Sequence, residues 1–170
     1  MIRIYNSMNM KGVFKLIKIL FICHGNICRS TMAEFVMKNL VKSKGYDGEF
    51  LIDSAGTSRE EIGNDTHRGT KAKLSEQQIP YTRRQARQIT YKDYAQYDML
   101  ICMDQSNVRN LMRVIGEDTE EKVSLLLDFA NRPGEGIADP WYTDNFDLTY
   151  EEVLAGCQGI LEQYSNSLRK

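Results

Sequence analysis

Eight consecutive residues, Cys23-His24-Gly25-Asn26-Ile27-Cys28-Arg29-Ser30, bring a thiol, a guanidinium, an amide and a hydroxyl into one short segment. An apolar β-branched run precedes it and a helical pattern follows it. The segment therefore reads as a loop from a strand end to a helix N-terminus. Unpaired N–H groups and the helix dipole make such a place an anion cradle. Gly25 and Asn26 suit the positive φ of a nest of amides, and Arg29 supplies a planar fork for two phosphate oxygens. The same field favours the thiolate of Cys23, a nucleophile held beneath a bound phosphate. Ser30 is placed to cap the helix and to donate to that thiolate.

A thiolate displacing an oxygen from phosphorus needs an acid for the leaving group. Asp139-Pro140-Trp141-Tyr142 offers one: Pro140 holds Asp139 extended, and the two aromatics can wall a pocket for a flat substrate. Neither histidine suits the role, since His24 falls at the rim and His67 at an exposed helix start. Plainer readings exist: a structural cysteine after a strand, an ordinary Asp-Pro turn, or zinc on Cys23, Cys28, Cys102 and a histidine. The zinc reading lacks a Cys-x2-Cys pair. The conjunction of strand, Gly-Asn turn, Arg and Ser favours the nucleophile.

The elements that must position these residues alternate along the chain. Leu16-Ile17-Lys18-Ile19-Leu20-Phe21-Ile22 predicts a strand buried on both faces. A helix follows from Ser30 to about Gly45, with Ala33, Val36, Met37, Leu40 and Val41 on one face. Phe50-Leu51-Ile52 predicts a second strand, and residues 66–78 a helix ending before Pro80. Residues 99–103 predict a third strand, followed by a helix capped by Asp104 or Ser106. Residues 123–127 predict a fourth strand, 128–145 a loop, and 149–167 a final helix. This order implies an α/β fold: a single domain over residues 15–170 with an open parallel four-stranded sheet. Helices cover both faces in a flavodoxin-like or Rossmann-like three-layer arrangement. Residues 1–14 have no clear period and read as a poorly ordered extension. Ligands in such folds bind outside the carboxyl ends of the strands, which selects the loops after Cys23, Ser54, Cys102 and Leu127.

Composition narrows the class. With 42% hydrophobic and 26% charged residues the chain is neither disordered nor membrane-spanning in pattern. Twenty-two basic against 23 acidic residues leave a net charge of -1, which argues against bulk attraction to nucleic acid or anionic lipid. Four cysteines without an export signal imply a reduced, cytoplasmic protein, because Lys18 interrupts the apolar stretch before Cys23 and no cleavage site follows.

From about Leu16 to the last helix the chain resembles the low-molecular-weight protein tyrosine phosphatases. The resemblance rests on the Cys-x-Gly-Asn-x-Cys-Arg-Ser loop followed by Met-Ala-Glu, and on Asp53-Ser54-Ala55-Gly56-Thr57. Ala86-Arg87-Gln88-Ile89, Cys102-Met103-Asp104 and Asp139-Pro140-Trp141-Tyr142 appear in the family's order. It implies hydrolysis of phosphotyrosine in proteins through a phosphocysteine on Cys23, with Arg29 on the phosphoryl oxygens and Asp139 as acid, then base. Asn26 and Ser54 would hold the loop and Ser30 tune the thiolate. His24, Ile27, Trp141 and Tyr142 would line the pocket, and Cys28 would form a reversible disulfide with Cys23 under oxidation. It further implies no metal or cofactor, and a monomer or weak homodimer without nucleic-acid or membrane partners.

Four positions depart from the pattern: Thr31 in place of a common proline, His24 at the rim, residues 58–62 where a Trp often walls the pocket, and Arg84 in place of a His. The related protein arginine phosphatases carry a small Thr where Ile27 stands, and Ile27 favours a phenyl ring. Thioredoxin-coupled arsenate reductases relay a disulfide through two close cysteines, whereas Cys102 and Cys157 lie far apart in sequence. A phosphate-binding module without turnover would have lost Cys23 or Asp139, and both are present.

Overall fold

The computed structural model describes residues 16–168; the extension expected over residues 1–14 lies outside the described residues. Four parallel strands form the sheet: β1 (Ile17–Cys23), β2 (Phe50–Gly56), β3 (Met99–Cys102) and β4 (Val123–Leu125), in the order β2-β1-β3-β4. Sequence order reverses between β1 and β3, so the loops leaving those two strands open a crevice at the carboxyl edge. The α/β reading is thereby met. No described helix is long and apolar enough to cross a membrane.

Strand parity decides which side of the sheet receives each side chain. Ile17, Ile19, Phe21 and Cys23 of β1 face one core, built with α1 (Arg29–Ser43) and α6 (Phe146–Ser167). Leu20 and Ile22 face the other core, with Leu111 and Ile115 of α4 (Gln105–Ile115). Helix α2 (Arg68–Glu76) joins the α1–α6 layer, and α3 (Tyr91–Gln96) packs on α4. Residues Ile19 to Ile22 are fully buried, so β1 is the central strand that its apolar run indicates. The odd parity of Cys23 points its sulfur toward the first turn of α1.

Several boundaries differ from the sequence reading, each for a local reason. β2 continues past Ile52 to Gly56 because its polar end stays in register with β1, Cys23 opposite Gly56. α2 is shorter than residues 66–78, since His67 caps it by accepting from the Gly69 N–H. The unforeseen α3 starts at a capping box between Thr90 and Asp93. β4 stops at Leu125, where residues 126–130 turn into a 3₁₀ segment. Inside the expected 128–145 loop, Pro140 begins a one-turn helix, α5 (Pro140–Thr143), capped by Asp139; α6 starts at Phe146 because Asn145 caps it.

The end of β2 lies against the loop that follows β1. A Cβ on Gly56 would fall 2.7 Å from the His24 carbonyl oxygen and 3.2 Å from Asn26 Cβ. Gly56→Ala is therefore expected to lower unfolding free energy by about 1–3 kcal/mol in denaturant titration. An unchanged midpoint would show that the loop yields.

Candidate active site

The loop from Cys23 to Arg29 is held by its carbonyls. Cys23 O accepts from Thr57 N at 2.9 Å, His24 O from Ser58 N at 3.0 Å, and Ile27 O from His67 N at 2.8 Å. Asn26 O accepts from Arg84 Nη1 at 3.0 Å. No described peptide bond is cis, and in a trans unit the N–H points opposite to the C=O. Pulling these carbonyls outward turns the N–H groups of His24, Gly25, Ile27 and Cys28 inward. Asn26 N–H already donates there, to Cys23 Sγ at 3.3 Å. The reversal is made at Asn26, whose φ is 60°. Gly25 does not share the positive φ expected of it. Its lack of a side chain instead leaves room for Glu61, whose Cγ would lie 3.1 Å from a Cβ there.

Beneath the loop runs a hydrogen-bond chain whose direction can be read. Asn26 Oδ1 accepts from Arg84 Nη2 at 2.9 Å and from Arg87 N at 3.1 Å, which fixes the amide's orientation. Its Nδ2 donates to Ser30 Oγ and to Ser54 Oγ, both at 2.9 Å. Ser54 Oγ in turn donates to Glu34 Oε2 at 2.5 Å. Ser30 Oγ, which accepts from Asn26 Nδ2, also lies 3.0 Å from Cys23 Sγ, where either atom can be the donor. Asn26 N and Ser30 Oγ thus both lie within hydrogen-bond distance of this sulfur. Ser30 is within reach of Cys23 but is not the helix cap: α1 begins at Arg29 with Cys28 in the cap position and no side-chain cap. Thr31, in place of the usual proline, donates to Ile27 O and Cys28 O.

Arg29 is only 3% exposed. Its Nη1 donates to Asp104 Oδ2 at 2.6 Å and to Ile137 O at 3.3 Å, and its Nη2 to Asp139 Oδ2 at 2.8 Å. Burial opposes its charge, but Cys23, Asp104 and Asp139 outweigh it and hold its pKa above the usual value. Asp139 therefore sits on the guanidinium and caps α5 through Trp141 N at 3.1 Å. Asp104 is fixed from behind as the cap of α4, accepting from Asn107 N at 2.8 Å. Cys28 lies in the same cavity; burial, then Cys23 and Asp139, push its thiol up to about 12, so it stays protonated.

The cavity above Cys23 is lined by the loop, Asp139, Trp141 and Tyr142, with Glu60 and Glu61 on the side where an aromatic wall is absent. Trp141 and Tyr142 are 62% and 84% exposed. His24 stands at the rim as expected, its Nε2 3.0 Å from Glu60 Oε2. Ile27 lines the cavity while packing on Cys28 and Ala86. The exposed helix start expected for His67 is not found: its ring is half-buried and stacks on Phe146. Cys102 and Cys157 are fully buried in the two separate cores on opposite faces of the sheet.

Thus Cys23, Asn26, Arg29, Ser30, Ser54 and Asp139 all converge. Sequence reasoning missed three partners. Arg84 stands out in the sequence only as a departure, Glu34 only as the end of the Met-Ala-Glu string, and Asp104 only as a cap and in the Cys102-Met103-Asp104 string. A signal existed for Glu34 alone, as an acid one turn beyond the loop on the face α1 buries.

A family model for low molecular weight phosphotyrosine protein phosphatases matches residues 18–170. The low molecular weight protein-tyrosine-phosphatase YfkJ of Bacillus subtilis is 35% identical over 147 residues, 86% of this chain and 94% of the relative. The crystal structure of YfkJ has a TM-score of 0.85 at 34% identity, covering 89% of this chain and 96% of that one. That of SP-PTP, a low molecular weight protein tyrosine phosphatase from Streptococcus pyogenes, has 40% identity and a TM-score of 0.77, covering 87% and 93%. The Drosophila arginine phosphatase DARP has 28% identity and a TM-score of 0.79, covering 87% and 98%.

Arg84 holds both the carbonyl and the side chain of Asn26, with its Nε 3.6 Å from the buried Glu34 carboxylate. Arg84→Gln is expected to lower kcat/KM for p-nitrophenyl phosphate by about one to two orders of magnitude. Arg84→Lys should recover little, because an ammonium lacks the fork. Full activity in either variant would remove Arg84 from this role.

Proposed function

The chain belongs to the low molecular weight phosphotyrosine protein phosphatase family, and we propose that it hydrolyses phosphotyrosine in proteins, and small aryl phosphates, through a phosphocysteine on Cys23. The observation that carries this reading is the sulfur itself. It lines an open cavity, accepts from Asn26 N, lies 3.0 Å from Ser30 Oγ, and faces the N-terminus of α1. Amide hydrogens turned inward and the helix dipole favour a dianion directly above it.

The steps follow from these positions. Entering phosphoryl oxygens compete with Asp139 for Arg29 Nη2, while Asp104 keeps Nη1 in place. Once displaced from Arg29, the Asp139 carboxylate takes up a proton from solvent and lies beside the leaving oxygen. Cys23 Sγ attacks phosphorus, the bond from phosphorus to the phenolic oxygen breaks, and Asp139 protonates that oxygen. Asp139 then takes a proton from water as the water attacks the thiophosphate. The S–P bond breaks, its electron pair returns to sulfur, and inorganic phosphate leaves. Ser30 stabilises the sulfur as it departs. Trp141 and Tyr142 flank the phenyl ring, and Ile27 narrows the floor of the pocket against a branched group.

Cys23→Ser is expected to reduce hydrolysis of p-nitrophenyl phosphate to background. Asp139→Asn should slow it by about 10²–10⁴-fold, most for poor leaving groups. An unchanged leaving-group dependence would take Asp139 out of the acid role. In parallel assays, free phosphotyrosine is expected to give a higher kcat/KM than phosphoarginine. A preference for phosphoarginine above about tenfold, 1.4 kcal/mol in transition-state terms, would instead place the chain with arginine phosphatases.

A further inference from the structure

His67 has no part in the chemistry above, yet it touches both halves of the site. Its backbone N–H donates to Ile27 O at 2.8 Å, part of the hold on the loop floor. Its Nδ1 accepts from Gly69 N at 3.1 Å, capping α2. Its ring lies parallel to Phe146, with a 6° interplanar angle and 5.5 Å between centroids. Its other aromatic neighbour is Trp141, edge-on at 6.2 Å and 71°. Phe146 also packs closely on the first turn of α2: a Cβ on Gly69 would fall 2.3 Å from its ring. Trp141 belongs to the turn that Asp139 caps.

We propose that His67 is a positioning residue that, braced by Phe146, sets the height and tilt of the Trp141 wall relative to the phosphate loop, and so selects substrates with a flat ring on the phosphate. The proposal rests on the aryl phosphatase reading for its consequence, but its geometry is open to a separate measurement. Trp141 is 62% exposed and meets the His67 ring edge-on, and an aromatic pair adds binding beyond buried area. Phosphate itself, bound by the floor, does not meet the wall.

Trp141 is the only tryptophan in the chain, so intrinsic fluorescence reports its surroundings directly. His67→Asn keeps an acceptor for the α2 cap and removes the ring; Phe146→Leu leaves His67 intact and removes its brace. In both variants Trp141 emission is expected to shift to the red with lower anisotropy. KM for p-nitrophenyl phosphate is expected to rise about twofold to tenfold. kcat and the inhibition constant of inorganic phosphate should stay within about twofold of wild type. Wild-type emission and KM in both variants would overturn the proposal, as would a joint loss of kcat and phosphate inhibition, which marks damage to the floor. If the wild-type enzyme fails to turn over p-nitrophenyl phosphate, the phosphatase reading falls. Emission then decides the positioning role alone, a shift supporting it and no shift overturning it.

Discussion

The site depends on carbonyl groups being held away from it. A seven-residue loop has no intrinsic reason to turn its N–H groups to one side; most loops offer donors and acceptors in mixture. Here the acceptors of Cys23, His24, Asn26 and Ile27 are each taken by a donor from outside the loop: Thr57, Ser58, Arg84 and His67. What remains facing inward is a surface of one electrostatic sign. The anion preference is thus a by-product of satisfying acceptors elsewhere, and it requires that β2, the start of α2 and the segment around Arg84 be docked first.

Charge is arranged in two tiers beneath that surface. Arg29 lies between Asp104 and Asp139, and Arg84 between Asn26 and Glu34. Burying ions is costly unless each finds partners, and removing one partner costs more than the pair contributes. Both tiers meet that condition within hydrogen-bonding networks, so their value lies in fixing geometry and not in net stability. The tiers differ in one respect. Lys38 adds a second cation on Glu34, at 2.5 Å, whereas the Arg29 tier opens to the cavity on the Asp139 side. The lower tier is closed and the upper one can exchange partners with a ligand.

Much of this was legible in residue types. The apolar run of β1, the alternation of strands and helices, the Cys-to-Ser loop and the Asp-Pro turn all carry local signals. Those signals are periodicity, β-branching, turn chemistry and capping residues. The lost items are those whose cause is distant in sequence. β2 extends through Asp53 and Ser54 because β1 pairs with it, not because those residues prefer a strand. The positive φ was assigned to Gly25 and Asn26 together on type alone, and only the docking of Arg84 and Arg87 on Asn26 decides between them. Arg84, Glu34 and Asp104 act on residues up to 75 positions away. Ser30 fails as the cap because α1 begins one residue earlier, at Arg29, which places Ser30 inside the first turn.

The collar around the loop has a consequence for how the polypeptide matures. Its four donors, on Thr57, Ser58, His67 and Arg84, all come from chain segments made after the cysteine. A nascent or partly melted molecule therefore contains the same loop residues without the donors that turn its carbonyls outward. The collar of amides and the native tertiary structure arrive together and vanish together.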